Sequence, residues 1–220
     1  MKRTIIKDRC LPKYCKQEEL FNAISHGIGV PAAIAALILC IMQSGNNMLA
    51  LTGALIYCFS LFLVYGVSAT YHGFPKGNAK KYLQVADPCT IYALIAGTYT
   101  PILLCCFVPQ QPVLGWGLLI FQWGTALVCV ILNLIDLKRF RVISMTAYIV
   151  MGWAIIFFLP YALQLMPRQS FNYILAGGIS YTLGSILYGI GAKQPWFHSI
   201  FHIFVLLGSA LQFIAIYYLL

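Results

Sequence analysis

Two histidines four residues apart, His198 and His202, are the residues of this chain most able to do chemistry. They open an apolar run that continues to Leu220 and is long enough to cross a bilayer. On a helix this spacing places both imidazoles on one face about 6 Å apart, which allows them to hold one metal ion. Because an ionisable side chain inside a membrane span is costly, the pair predicts a functional site. The alternative is that both histidines lie at the interface or bond to a neighbouring helix.

The composition of the 220-residue chain indicates a polytopic membrane protein. Hydrophobic residues make up 61% of it and charged residues 9%, whereas charged residues are typically about 25% of a globular domain. The predicted fold class is therefore all-α, with a basic arm at residues 1–17 and one membrane domain at residues 18–220. The eight cysteines include no C-x-x-C pair and lie in apolar runs or in the arm, so neither a disulfide framework nor a thiolate metal site is expected.

Seven apolar runs are each long enough to form a transmembrane helix, which needs about 20 residues. Short breaks with turn-forming residues separate them. The predicted spans are 21–42, 47–71, 82–106, 113–135, 142–165, 171–191 and 197–219. The chain is therefore predicted to form a seven-helix membrane bundle.

The basic residues indicate how this bundle is oriented. Thirteen of the fourteen lie on one side of the predicted topology, which places the N-terminus in the cytoplasm and the C-terminus outside. They are Lys2, Arg3, Lys7, Arg9, Lys13 and Lys16 in the arm, then Lys76, Lys80 and Lys81, then Lys138, Arg139 and Arg141, and finally Lys193, with Arg168 on the other side. We expect a multi-pass protein of the cell (plasma) membrane. The same bias accounts for the net charge of +9, so a nucleic-acid partner is not expected.

Polar residues of two other spans fall at the same predicted depth as the histidine pair. Ser68 and His72 form an i, i+4 pair at the cytoplasmic end of the second span, and Asp87 lies about one turn into the third. The imidazoles of His72, His198 and His202 match the ligands of a zinc site with one open position. Asp87 would then orient a water molecule, accept its proton or hold a ligand histidine. Alternatively, Asp87 caps the N-terminal end of the third helix.

Two further polar residues receive structural interpretations. His26 lies about one turn into the first span, and we expect it to bond across helices rather than to serve as a fourth ligand. Asp136 lies beside Lys138 and Arg139 at a helix end and is interpreted as a solvated interface charge.

Four sequence blocks together form a specific pattern. They are residues 19–27, residues 68–72, Asp87 with residues 91–101, and His198-x-x-x-His202 with residues 204–209. In this pattern the chain resembles the hemolysin III-like proteins, the bacterial branch of the progestin and adipoQ receptor superfamily. The resemblance covers about residues 18–220.

The resemblance implies roles for individual residues. In the family, the histidine of S-x-x-x-H and both histidines of H-x-x-x-H hold Zn²⁺, and these positions are His72, His198 and His202 here. The family aspartate acts through water and corresponds to Asp87, which we count with Ser68 as a candidate catalytic residue. Seven helices and a cytoplasmic N-terminus are also implied. Pro88 departs from the family pattern and bears on how the carboxylate before it is presented.

Two functions remain open from the sequence. The first is a zinc-dependent hydrolase that cleaves an amide or ester in a lipid, like the ceramidases that some relatives resemble, or a lipid sensor derived from such an enzyme. Its partners would be membrane lipids. The second is a pore-forming cytolysin or channel in which zinc is a structural clamp between the second and seventh spans. Because the polar residues concentrate at one end of the bundle, the first function is favoured.

Overall fold

The computed structural model describes residue 6 and residues 9–190 and 194–220, and their regular structure is helical. The basic residues Lys2, Arg3, Lys7 and Lys193, used above to predict orientation, lie outside the described residues. Within these described ranges, eight α-helices follow one another: α1 (Lys16–Ser44), α2 (Met48–Gly73), α3 (Asn78–Ile102), α4 (Pro112–Asp136), α5 (Arg141–Gly152), α6 (Leu159–Leu165), α7 (Arg168–Ile190) and α8 (Phe197–Tyr217).

Seven segments of the described chain are long and apolar enough to cross a membrane, which confirms the predicted all-α, seven-span architecture. Five of them are single helices. The third continues from α3 through a π-helical turn at Leu103–Phe107. The fifth, Arg141–Leu165, consists of α5 and α6 joined by a 3₁₀ segment at Ala154–Phe158.

The helix starts differ from the predicted ones in a way that matters for the site. A capping box at Cys15 and Glu18 begins α1 at Lys16, five residues before the predicted start. Helix α3 begins at Asn78 rather than at residue 82. Asp87 is therefore the tenth residue of α3, beyond the first turn in which the helix dipole favours a carboxylate. The capping interpretation of Asp87 is wrong.

Helix α3 lies at the centre of the bundle. In its span, 78% of the residues of the apolar stretch are buried, against 22% to 50% in the other six spans. It packs against α2 and α4 and also contacts α5 and α8, while α1 packs against α2 and α8. These contacts bring the first and last spans together beside the central helix.

Close packing of α2 against α3 requires small residues. A Cβ atom on Gly53 would lie 2.6 Å from the Cα atom of Pro101, so the α3 backbone occupies the space of a side chain. This agrees with the general use of small residues where membrane helices approach closely. The α2 and α3 backbones are thereby held in a fixed register, and this register places Ser68 and His72 relative to Asp87.

The break in the fifth span is stabilised by a tyrosine of α3. The Tyr99 hydroxyl donates to the carbonyl of Gly152 at 2.9 Å and accepts from the backbone N–H of Ile155 at 3.0 Å. Irregular backbone within a membrane is tolerated only where its polar groups find partners inside the protein. Tyr99 supplies both partners at this break.

Asp136 differs from its predicted state. Its side chain is buried, and its Oδ1 atom accepts from the backbone N–H groups of Lys138 and Arg139, both at 3.1 Å. It therefore terminates α4 and orders the turn before α5. The sequence indicated a helix-end position correctly but could not show that the carboxylate turns inward.

Candidate metal centre

Three histidines from two helices converge at one end of the bundle, which we call the histidine end. His72 lies in the last turn of α2, and His198 and His202 lie in the first two turns of α8. The Nε2 atom of His198 is 3.1 Å from that of His72 and 3.2 Å from that of His202. The predicted ligand residues are thus brought together, with their ligand atoms all within 4.8 Å of one another.

These spacings fit a metal ion better than a hydrogen-bonded group. Two ligand nitrogens on a tetrahedral zinc ion are about 3.3 Å apart, given Zn–N bonds of about 2.0 to 2.1 Å. One shared proton can link two imidazole nitrogens, but three lone pairs directed at the same point repel one another without a cation. The donor set therefore fits a metal ion with a position left for another ligand.

Glu19 orients the first histidine of this cluster. Its Oε2 atom lies 2.8 Å from His72 Nδ1, and its Oε1 atom lies 2.8 Å from Lys80 Nζ. If Nδ1 donates to the carboxylate, the Nε2 lone pair of His72 is free to bind a metal, as in the carboxylate–histidine–metal arrangements of many sites. Lys80 also donates to the carbonyl groups of His72 and Phe74 at the end of α2.

The outer nitrogen of His202 faces α1. Ser25 Oγ lies 3.3 Å from His202 Nδ1 and also donates to the carbonyl of Asn22. The serine therefore orients the second ring through a weaker contact than the carboxylate beside His72. Both orienting groups come from the first turns of α1.

Two aromatic rings stack on histidines of the cluster. The His26 ring stacks on the His202 ring with centroids 3.6 Å apart and an interplanar angle of 14°. Both ring nitrogens of His26 are buried without a hydrogen-bond partner among the described residues, so the contact between the helices is ring stacking and not the expected bond. From the N-terminal arm, the Tyr14 ring stacks on His198 at 5.0 Å and 18°. Burial raises the pKa of the Tyr14 hydroxyl above its ordinary value, so this group stays protonated and neutral.

The two predicted catalytic residues also meet. The Asp87 carboxylate interacts with the Ser68 side chain and electrostatically with His72, and both Ser68 and Asp87 line the same cavity. Ser68 is one turn before His72 on the buried face of α2. Pro88 lies within α3 without ending the helix, and its carbonyl accepts a 2.7 Å hydrogen bond from Tyr148. Asp87 thus remains directed toward the histidine end despite the proline after it.

Glu18 connects the beginning of α1 to the beginning of α8. One carboxylate oxygen accepts from the backbone N–H of Cys15 at 2.9 Å, and the other accepts from the N–H of Trp196. Trp196 has a φ of 67°, in the left-handed region that non-glycine residues rarely adopt. This contact stabilises the turn from which His198 enters the bundle.

A cavity of about 900 Å³ opens beside the cluster. Its wall includes Ser68 and Asp87 together with His198 and His202. Along α3 it extends from Gln84 to Tyr99, which is about 22 Å at 1.5 Å per residue. The arrangement can therefore hold a metal ion, a carboxylate and an elongated ligand in one space.

Sequence reasoning missed Glu19, Ser25 and Tyr14. A signal for the first two was present, because polar residues recur at helical spacing through the first turns of an otherwise apolar span: Glu18, Glu19, Asn22, Ser25 and His26. Such spacing places them on one side of a helix. The position of Tyr14 had no comparable signal, since it depends on the path of the arm outside any helix.

The comparisons with known proteins agree with this architecture. The family model described as "Haemolysin-III related" matches residues 14–213. The chain is 37% identical over 202 residues to "Hemolysin-3" of Bacillus cereus, covering 91% of this chain and 90% of the relative. It is 38% identical over 202 residues to "Hemolysin-3 homolog" of Bacillus subtilis (strain 168), covering 91% and 93%. No solved structure gives a significant match. The seven apolar spans, the matched residues 14–213 and these relatives show that the chain belongs to the haemolysin III-related family of membrane proteins.

Proposed function

We propose that this protein is a zinc-dependent hydrolase of the plasma membrane that cleaves an amide bond in a lipid, with its site on the cytoplasmic side. A lipid sensor derived from such an enzyme would use the same site. The observation that carries the proposal is the convergence of three Nε2 atoms, with distances of 3.1 and 3.2 Å to that of His198. Two of these histidines, His198 and His202, line the 900 Å³ cavity whose wall also includes Asp87.

The choice of zinc rests on the donor set. Imidazole nitrogens favour zinc, copper, iron or nickel over magnesium and calcium, which prefer oxygen ligands. Three protein ligands with one open position are typical of catalytic zinc sites. When bound, zinc would polarise an acyl carbonyl and lower the pKa of a water molecule, which is the chemistry that amide hydrolysis needs.

The protein's own groups supply the remaining steps. Asp87 accepts a proton from the attacking water while the water oxygen forms a bond to the acyl carbon. The same proton is then donated to the nitrogen as the C–N bond breaks, so that a carboxylic acid and an amine are released. Ser68 interacts with Asp87 and would orient its carboxylate. Glu19 and Ser25 hold the outer nitrogens of His72 and His202, which keeps their inner nitrogens directed at the site.

The variant Asp87→Asn tests catalysis separately from metal binding. It keeps the shape of the side chain and removes the base, so we expect near-parental zinc content and thermal stability with product formation reduced by at least 10²-fold, the typical contribution of a general base. His72→Ala should lose both zinc and activity. The measurements are zinc analysis, thermal unfolding and mass-spectrometric detection of products from a panel of lipid amides in one detergent. Parental turnover by Asp87→Asn, or no hydrolysis by the parent across the panel, would contradict the enzyme.

The name hemolysin, which both relatives carry, favours a second candidate, a cytolysin in which zinc clamps α2 to α8. Under this function Asp87→Asn would leave membrane permeabilisation intact. An apolar cluster at the far end of the cavity argues against a pore through one chain, because it packs Ile102, Phe107, Leu118 and Phe171 together. Dye release from lipid vesicles by the parent and by His202→Ala distinguishes this candidate, which predicts zinc-dependent leakage.

A further inference from the structure

The mouth of the cavity at the histidine end is cationic. Four basic residues contribute to its wall: Arg9 and Lys13 from the N-terminal arm, Lys138 from the turn after α4, and Arg141 from the start of α5. The carboxylates in the same wall belong to Glu18 and Asp87. Both are already engaged, the first with backbone N–H groups and the second with Ser68. The mouth is therefore positively charged, because these two carboxylates do not pair directly with its four basic side chains.

Arg9 is the most unusual of the four basic residues. Its side chain is only 8% exposed, and in the part of the chain that the structure describes, none of its three guanidinium nitrogens has a hydrogen-bond partner. Asp136 interacts with Arg9 electrostatically, but its Oδ1 atom accepts from the backbone of the following turn. A guanidinium offers five N–H donors, and burying them without acceptors is costly. The wall thus presents a buried donor group suited to an anion.

The rest of the cavity is suited to an apolar chain. Beyond Asp87, the α3 side of the wall consists largely of Ile91, Leu94 and Ile95 and ends near Tyr99. Val205 of α8 and Ile149 of α5 contribute further apolar surface. Over a length of about 22 Å the cavity changes from cationic to apolar, with His198 and His202 in the same wall. An elongated ligand with one charged end matches this gradient.

We propose that the mouth is a binding subsite for the anionic group, carboxylate or phosphate, of an acyl-chain amphiphile, with Arg9 as its main contact and the chain in the apolar part. Arginine binds both anions through paired N–H donors, and Arg141 lies in the same wall to add a second contact. As a statement about the substrate, the inference rests on the proposed hydrolase and specifies a lipid amide with a negatively charged head. As a statement about binding, it requires no turnover.

Two probes with the same acyl chain and the same amide isolate the effect of the head-group charge on binding. N-palmitoylglycine carries a carboxylate, whereas N-palmitoylethanolamine is neutral. Binding of each to the full-length protein in neutral detergent would be measured by native mass spectrometry. We expect the parent to bind the anionic probe roughly 10-fold or more tighter than the neutral one, the effect of one charge-assisted contact.

The variants assign this preference to the mouth. Arg9→Gln should remove most of the preference and Arg9→Lys should retain part of it. Arg141→Gln, on a different element, should weaken binding of the anionic probe alone, and it provides a second readout if Arg9→Gln unfolds. Arg139→Gln is the matched control, because Arg139 lies in the neighbouring turn, is exposed and is not part of the cavity wall. Equal binding of both probes to the parent, or parental preference in both Arg9→Gln and Arg141→Gln, would overturn the subsite.

Two further results distinguish a free anion from the head group of an amphiphile, and the subsite from the proposed hydrolase. Inorganic phosphate lacks the acyl chain and should compete only weakly with N-palmitoylglycine. If phosphate bound as tightly as N-palmitoylglycine, the ligand would not need an acyl chain and the proposal of an amphiphile would be wrong. Hydrolysis of the neutral probe without any Arg9-dependent preference would support the proposed enzyme and remove the subsite. Arg9-dependent binding by a parent that hydrolyses no amide would support the subsite and contradict the proposed enzyme.

Discussion

At the scale of single residues, the site depends on groups that hold the histidines as well as on the histidines themselves. Glu19 shares its two oxygens between His72 and Lys80, both at 2.8 Å. Lys80 holds the second oxygen of this half-buried carboxylate and so fixes the carboxylate beside His72 Nδ1. The orientation of His72 is therefore linked to a lysine that contacts the backbone carbonyl of His72 rather than its imidazole.

Changing Glu19 to Gln should weaken metal binding while leaving the three ligand residues in place. Loss of an orienting carboxylate typically lowers metal affinity 10- to 100-fold. The measurement is a competition titration of the purified protein with a zinc chelator. Asp136→Asn is a suitable control, since it removes a buried carboxylate that contacts backbone N–H groups rather than a histidine. Unchanged affinity in Glu19→Gln would show that His72 needs no carboxylate.

Changing His202 to Ala should sharply lower the metal content of the purified protein because it removes a direct ligand. His26→Phe should leave the metal content near the parental value, since a phenyl ring preserves the stacking on His202. The readout is metal analysis by mass spectrometry after zinc loading and desalting. Similar metal contents in the two variants would contradict the assignment of His202.

The histidine cluster was predictable because its members combine polarity, helical spacing and a common predicted depth. His198 and His202 are four residues apart, and His72 lies at the same end of its span. The orienting residues were not predicted, since Glu19 and Ser25 become meaningful only when α1 is known to pack beside both α2 and α8. Sequence periodicity gives the face of a residue on its own helix and does not identify the helix that this face meets.

At the scale of elements, the broken fifth span is the clearest difference from a simple bundle. Hydropathy predicted residues 142–165 as one helix, because apolar composition is the same in α-helical and 3₁₀ segments. The break is located where Tyr99 meets Gly152 and Ile155. A tertiary hydrogen bond of this kind leaves no trace in the local sequence.

Changing Tyr99 to Phe should destabilise the protein by about 1 to 3 kcal/mol for each backbone group left without a partner. The affected groups are the Gly152 carbonyl and the Ile155 N–H. Thermal unfolding in detergent measures the loss. Tyr82→Phe, at an exposed tyrosine of the same helix, is the matched control and should change the unfolding temperature little. Equal unfolding temperatures for the two variants would mean that the break is stabilised in another way.

At the scale of the whole molecule, the distribution of basic residues predicts the orientation of the bundle in the membrane. A reporter fused after Leu220 should behave as external, and one inserted at Gly77 should behave as cytoplasmic, because most basic residues fall on the N-terminal side. Alkaline phosphatase and a fluorescent protein provide complementary readouts. A cytoplasmic C-terminus would place the histidine end on the opposite face of the membrane and contradict the proposed cytoplasmic site.

The contact of the first span with the last has a consequence for biosynthesis. His72 and His198 are 126 residues apart, and Glu18 contacts Trp196 across 178 residues. At about 5 to 20 residues per second, a ribosome makes the segment between His72 and His198 in roughly 6 to 25 s. During this interval His72 is already in place but has no partner from α8. If the cluster binds a metal as proposed, a nascent chain completes the site only after α8 is inserted, because α8 carries His198 and His202. Metal binding would then depend on insertion of the last helix.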